Sequence, residues 1–153
     1  ESSAGKSLLR DMFVLGPFMA TAQRSKFMKR AEVLPNLDMI TFDAQIEHLM
    51  ANAEGVVAMG GYNTFCEILS FDRASIIIPR SKPRKEQLIR AQNAAALGLL
   101  SMLDLDGEKD AVVMVEALRA LLSQPKPSKV LTEGSLNGLP SVVERFGHLA
   151  TRG

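Results

Sequence analysis

The transition that decides the fold lies in residues 55–67, GVVAMGGYNTFCE. Residues 55–59 are almost entirely apolar, which is typical of a strand covered on both faces. Gly60 and Gly61 follow at once, and residues 64–71 have the composition of a short helix. Glycines let the backbone approach a ligand closely, and a helix N-terminus offers free N–H groups. The stretch therefore predicts either a cradle for a phosphate group or a tight turn that needs glycine for its own geometry.

Glu67, the last residue of that stretch, has two interpretations that the sequence leaves open. If Thr64 is the N-cap of the helix, the two residues form a capping box, in which the Glu67 carboxylate accepts the N–H of Thr64. Alternatively, a carboxylate in the first helical turn beside bound phosphates accepts both hydroxyls of a ribose. The first interpretation makes Glu67 a structural residue, and the second makes it a ligand-binding residue.

The rest of the chain alternates strands with helices. Strands are predicted at 12–15, 37–42, 55–59, 74–78 and within 99–105. Helices are predicted at 21–34, 45–53, 64–71, 85–97 and 110–122, with a last helix that follows residues 137–140 and ends near residue 148. Strands that alternate with helices through short loops form a parallel sheet with helices on both faces. The predicted fold class is therefore α/β, with a Rossmann-like sheet.

Ligands of such a sheet bind beyond the carboxyl ends of its strands. The residues that end or follow the predicted strands are Gly16, Phe42, Asp43, Gly60, Gly61, Pro79 and Arg80. The segment after the 74–78 strand is basic, and its cations are Arg80, Lys82, Arg84 and Lys85. Such a cluster can neutralise a diphosphate, although a solvated basic loop has the same composition.

Composition and charge exclude several classes of protein. The chain has 153 residues and a formal net charge of +1, whereas a general nucleic-acid-binding protein carries a basic excess. No apolar run approaches the roughly 18 residues of a membrane span, and no signal peptide is recognisable. Cys66 is the single cysteine, which excludes an internal disulfide and a cysteine-based zinc site and favours a reducing, cytoplasmic location. Because no carboxylate–histidine cluster has ligand spacing, we expect no metal ion.

The length fits one domain that covers residues 1–153. Residues 1–10 are mostly polar and predict a leader or the remnant of a preceding domain, and residues 125–138 predict a loop before the last helix. Because residue 1 is Glu rather than Met, we expect the chain to be a processed product, a trimmed fragment or a piece of a longer protein.

A longer stretch carries a family resemblance. Residues 55–98 read GVVAMGGYNTFCEILSFDRASIIIPRSKPRKEQLIRAQNAAALG, and they resemble the sugar-nucleotide-binding half of GT-B glycosyltransferases. In that family a strand ends in a glycine loop, the next helix carries a Glu, and a strand ending in Pro precedes a polar segment with Gln. The likeness is greatest to the MurG-like branch, glycosyltransferase family 28, and extends loosely to residues 14–19 and 110–122. It implies that the chain is the C-terminal, donor-binding half of a GT-B fold.

The resemblance also implies a role for individual residues. The residues that would line the donor diphosphate, mainly through backbone N–H groups, are Gly60, Gly61, Tyr62, Asn63 and Thr64. Arg80 joins these donor-binding candidates because of the charge of its segment, which is more basic than is usual in the family. Glu67 matches the family Glu that holds the nucleotide ribose, and Gln87 and Glu86 match the polar pair at the donor sugar. Phe42 and Asp43 fall where the backbone touches the base, and Gly16 lies on the first loop, facing the interdomain cleft. Arg90 departs from the pattern, because MurG-like sequences have Asn there.

The function implied by the resemblance is transfer of a sugar, such as N-acetylglucosamine, from a nucleoside diphosphate, UDP, to an unidentified acceptor. The nucleotide-sugar is a substrate rather than a cofactor, and the general base is expected on an N-terminal acceptor domain or partner subunit. Peripheral membrane contact is compatible with such a partner, whereas nucleic acid is not expected as one. The alternatives are a non-catalytic donor-binding subunit that needs a separate chain, and one half of a sugar-nucleotide epimerase.

Overall fold

The computed structural model describes residues 10–41, 46–104 and 111–131. The strands are β1 (Asp11–Leu15), β2 (Leu37–Thr41), β3 (Gly55–Ala58), β4 (Ala74–Ile77) and β5 (Ser101–Met102). The helices are α1 (Thr21–Ala31), α2 (Ile46–Asn52), α3 (Tyr62–Ser70), α4 (Glu86–Ala96) and α5 (Ala111–Leu121), followed by a 3-10 turn at Pro127–Lys129. The chain divides after His48 into two compact units.

The first unit contains a parallel pair of strands. β1 and β2 pair in register from Asp11 with Leu37 to Leu15 with Thr41, and α1 connects them. Helix α1 ends at Ala31, three residues earlier than predicted, because the chain turns there, with the N–H of Leu34 donating to the carbonyl of Ala31 at 2.8 Å. The strand–helix–strand order predicted for this part of the chain is confirmed.

The second unit contains a parallel sheet with the order β3-β4-β5 among the described residues. Its central strand, β4, is buried along its whole length. β3 and β4 end side by side, since Ala58 pairs with Ile77 and the N–H of Ile78 donates to the carbonyl of Ala58 at 2.8 Å. The loops that follow these two strands therefore start at the same edge of the sheet.

Helices cover both faces of this second sheet, as predicted. Successive side chains of a strand point to opposite faces, and Ile77 packs in a cluster formed by α3 and α4 while Ile76 packs against Leu121 of α5. Both isoleucines are fully buried, and burial of each side chain stabilises the fold by about 1.5–3 kcal/mol. The apolar side chains of β4 thus pack against helices on both faces of the sheet.

Two boundaries in the second unit bear on the sequence predictions. Helix α4 ends at Ala96, one residue earlier than predicted, and Gly98, the predicted C-terminal cap, has a φ of +74°, the left-handed conformation that glycine adopts just after a helix. Helix α3 begins at Tyr62, two residues before the predicted start. The predicted last helix lies outside the described residues, as does the predicted leader with the exception of Arg10. Nowhere in the described ranges is there a helix long and apolar enough to cross a membrane.

Asp72 links the end of α3 to the 3-10 turn of the same unit. Its carboxylate accepts the backbone N–H of Ser128 at 2.7 Å and the Ser128 hydroxyl at 2.8 Å. Partial burial raises the pKa of Asp72, but the two Ser128 hydrogen bonds and the nearby Lys126 and Arg73 outweigh it and hold the pKa below its ordinary value of 3.8. The ionised carboxylate therefore stabilises the folded state.

We expect Asp72→Asn to lower the free energy of unfolding by about 1 kcal/mol at neutral pH, because the hydrogen bonds are partly exposed. Asn still adopts the positive φ of 54° found at this position. Since the folded pKa is depressed, the contribution is complete above pH 3.8 and is lost as the pH falls below that value. Urea unfolding at pH 7 and pH 3 checks this. A difference between variant and wild type that is the same at both pH values contradicts it.

Candidate donor-binding site

Gly60 forms the turn between β3 and α3. It is buried and has a φ of +73°, a conformation that costs an L-residue about 1–2 kcal/mol. A Cβ at this position would lie 2.7 Å from Cγ2 of Ile77, so the turn packs directly on the fully buried end of β4. Glycine is required here both by the backbone conformation and by the close contact.

The N-terminus of α3 has no side-chain cap. Gly61 is the N-cap, with no side-chain hydrogen bond, and the N–H of Phe65 is the first to reach its carbonyl, at 2.8 Å. The amides of Tyr62, Asn63 and Thr64 therefore lack a capping partner among the described residues. Uncapped N–H groups at the positive end of a helix dipole favour an anion.

This geometry changes the interpretation of Glu67. Thr64 is the third residue of α3 rather than its N-cap, so the capping-box interpretation is wrong. Glu67 as a residue is half-buried, and among the described residues its carboxylate has no hydrogen bond or ion pair. Glu67 lies three residues after Thr64 and four after Asn63, which places it on the same side of the helix. A half-buried acceptor without a partner, one turn from the helix N-terminus, is suited to ligand hydroxyls.

The end of β4 brings two further predicted residues together. The backbone N–H of Arg80 donates to Oε1 of Gln87 at 3.2 Å, and this bond joins the end of the strand to the first turn of α4. Because the oxygen of Gln87 is engaged, its amide NH₂ is left as the group that can donate to a ligand. Ser81 lies beside them, and its Oγ is buried without a hydrogen-bond partner among the described residues. A buried hydroxyl without a hydrogen bond costs free energy, so the end of β4 favours binding of a polar ligand group beside Ser81.

The basic segment between β4 and α4 is mostly exposed. Arg84 and Glu86 form an ion pair at 3.8 Å, with side chains 83% and 61% exposed, and such a pair contributes little to stability. Among the described residues, the charged groups of Arg80, Lys82 and Lys85 form no ion pair. They contribute a positive potential at the sheet edge where Gly60 and Gly61 lie.

Arg90 is a residue whose role the sequence did not predict. It is half-buried on α4, and its Nη1 donates to the carbonyl of Gly60 at 3.1 Å. Its guanidinium carbon lies 5.3 Å from the ring centroid of Tyr62 and 5.8 Å from that of Phe65, within the range of cation–π attraction. The spacing in the sequence could have indicated that Arg90 lies near the site, since it is three residues after Gln87 and hence on the same side of α4. Its partner in the turn could be found only from the fold.

The comparisons with known proteins settle the family. The model of the glycosyltransferase family 28 C-terminal domain matches residues 14–145, which is most of the chain. The chain belongs to this family. Its fold is that of a C-terminal GT-B domain, as the sequence resemblance implied. No curated protein matches the family 28 chain.

Solved structures similar to the family 28 chain are glycosyltransferases at low sequence identity. The glycosyltransferase VinC, in a complex with DTDP, is 16% identical with a TM-score of 0.63, and the match covers 97% of this chain and 43% of VinC. The glycotransferase of kitacinnamycin is 17% identical with a TM-score of 0.54, covering 93% and 38% of the two chains. The spinosyn rhamnosyltransferase SpnG is 15% identical with a TM-score of 0.51, covering 78% and 38%. The family 28 chain thus spans about two fifths of the length of these enzymes.

Within the family 28 chain, most of the predicted site residues lie in the second unit. They are Gly60, Gly61, Tyr62, Asn63, Thr64, Glu67, Arg80, Glu86 and Gln87. Gly16 lies in the first unit, where it follows β1 and is exposed. Phe42 and Asp43 lie outside the described residues. The described part of the chain has no group of three or more His, Cys, Asp or Glu side chains that could hold a metal ion.

Proposed function

We propose that this chain is the donor-binding domain of a glycosyltransferase that takes its sugar from a nucleoside diphosphate, UDP. The observation that carries the proposal is the turn at Gly60 and Gly61, which leads into the uncapped N-terminus of α3 beside an unpaired Glu67. This arrangement supplies anion-binding amides and a hydroxyl acceptor one helical turn apart. Membership of the glycosyltransferase family supports the same function.

The proposed chemistry assigns two tasks to this domain. The amides of Tyr62, Asn63 and Thr64 bind the diphosphate and stabilise the negative charge that develops on it as the glycosidic bond breaks. The amide of Gln87, whose oxygen is held by the Arg80 N–H, donates to a hydroxyl of the donor sugar. The resemblance to the MurG-like branch favours N-acetylglucosamine as that sugar. The base that deprotonates the acceptor comes from an N-terminal domain or partner subunit.

Titration of UDP into the ¹⁵N-labelled chain tests the proposal. We expect saturable shifts that cluster at residues 60–67 and 80–90, because these residues surround the turn and the start of α4. UMP and uridine are the matched control ligands, since they differ from UDP only in the number of phosphate groups. The affinity of the chain should fall in the order UDP, UMP, uridine as phosphate charges are removed. Since VinC was solved with DTDP, dTDP and GDP test the choice of base. If no nucleoside diphosphate perturbs residues 60–67, the proposal is wrong.

A donor-binding subunit without activity of its own is the second candidate. The described site, the turn at Gly60 and Gly61 beside Glu67, supplies groups suited to donor binding, which is all that this candidate requires. This candidate predicts UDP binding by the chain alone and hydrolysis or transfer of UDP-N-acetylglucosamine only after a partner is added. Turnover by the isolated chain, measured as UDP release, would contradict it.

A further inference from the structure

The contacts of Arg90 constrain a single peptide unit. The carbonyl of Gly60, which accepts the hydrogen bond from Arg90, belongs to the same planar peptide as the N–H of Gly61. In a trans peptide the C=O and N–H groups point in opposite directions. An arginine that holds the Gly60 oxygen toward α4 therefore holds the Gly61 N–H away from α4.

Ile77 and Arg90 together limit the freedom of this peptide. Ile77 packs against the Cα of Gly60 from the sheet, while Arg90 binds the carbonyl of the same residue from α4. Glycine has the widest backbone freedom of all residues, so a turn of two glycines needs such contacts to hold one conformation. The ring of Tyr62, the first residue of α3, lies under the same guanidinium, and this contact extends the constraint to the start of the helix.

We propose that Arg90 is a positioning residue that sets the orientation of the Gly60–Gly61 peptide and thereby the affinity of the turn for a diphosphate. The second half of this inference rests on the proposed function. Arginine suits the task because its planar guanidinium can donate to a carbonyl while its face lies over an aromatic ring. Lysine can supply the hydrogen bond and the charge, but it lacks the planar surface.

The chain offers a matched control for Arg90. Arg73 is also half-buried, lies in the same unit, and donates through its guanidinium to the backbone carbonyls of Ala51 and Ala53. Arg73 directly precedes β4 and therefore lies at the amino end of that strand. The basic segment begins at the other end of β4. Removing Arg73 thus deletes the same type of interaction at the opposite end of the sheet from the Gly60 turn.

The test compares Arg90→Gln, Arg90→Lys and Arg73→Gln in the full 153-residue chain. For Arg90→Gln we expect UDP affinity by calorimetry to fall about tenfold, as for the loss of one charge-assisted hydrogen bond. Uridine affinity should change less than twofold, because the nucleoside does not reach the phosphate-binding amides. Arg90→Lys should recover part of the loss. Arg73→Gln should lower the urea midpoint while leaving UDP affinity within twofold of wild type.

A second readout does not depend on any ligand. In the free chain, Arg90→Gln should move the ¹⁵N resonance of Gly61, whose nitrogen shares the peptide with the Gly60 carbonyl, whereas Arg73→Gln should not. An unmoved Gly61 resonance, or equal losses of UDP affinity in Arg90→Gln and Arg73→Gln, overturns the inference. A wild-type chain that binds no nucleoside diphosphate contradicts the proposed function instead, and the Gly61 resonance then decides whether Arg90 holds the peptide.

Discussion

Replacing Gly60 by Ala should lower the free energy of unfolding by about 3 kcal/mol and abolish measurable UDP binding. Two costs combine at this position. The φ of +73° is unfavourable for alanine by about 1–2 kcal/mol. The new Cβ would also lie 2.7 Å from Cγ2 of Ile77, and overpacking of this kind costs about 1–3 kcal/mol. Any relief requires the turn to move, which displaces the amides proposed to bind the diphosphate.

Gly61→Ala is the matched control for this prediction. Gly61 has a φ of −53°, which alanine adopts readily, and a Cβ there would have no atom within 4 Å. Its expected cost is at most about 1 kcal/mol, since alanine is a poorer N-cap than glycine. Chemical denaturation of both variants checks the difference. Equal destabilisation by the two substitutions would show that neither the positive φ nor the contact with Ile77 governs the turn.

Replacing Glu67 by Ala should weaken UDP binding by about 1.5–3 kcal/mol, or roughly 10- to 150-fold. The proposed partner of the carboxylate is the ribose, so the loss should depend on the ribose hydroxyls. Wild-type chain should prefer UDP to 2′-deoxy-UDP, which differs by one hydroxyl, and Glu67→Ala should remove that preference. Calorimetric titration of both nucleotides into both proteins measures the coupling directly.

The stability of the Glu67 variant separates the two interpretations of this residue. Since Gly61 is the N-cap of α3, Glu67→Ala should change the free energy of unfolding by less than about 0.5 kcal/mol. Glu116→Ala, on the exposed surface of α5, is the control for loss of a carboxylate from the same unit. A Glu67 variant that unfolds more easily yet binds UDP normally would restore a purely structural role.

The local elements of the fold were predictable because each has a local cause. The apolar residues of β4 predict burial on both faces of the sheet, and strands that alternate with helices favour parallel crossovers. Gly98 follows the end of α4 in the predicted capping position, because the left-handed conformation after a helix is most accessible to glycine. The position of the Gly60–Gly61 turn followed from the same type of signal.

The start of α3 was not predictable from local signals. Thr64 and Glu67 have the spacing of a capping box, yet the helix begins at Tyr62. The preceding turn is set by contacts from elsewhere in the chain: Ile77 packs against Gly60, and Arg90 holds its carbonyl. These contacts outweigh the roughly 1 kcal/mol that a side-chain cap contributes.

The amino-acid sequence by itself determined the α/β class and the order of the described strands and helices, because hydrophobic periodicity and glycine positions act over a few residues. The family was implied by the resemblance of residues 55–98. Only the tertiary structure decided that Glu67 does not cap α3. It also decided that Arg90 reaches the carbonyl of Gly60, 30 residues away in the chain. Those outcomes depend on packing between α3, α4 and β4, and a contact between distant residues leaves no mark on the local pattern of either one.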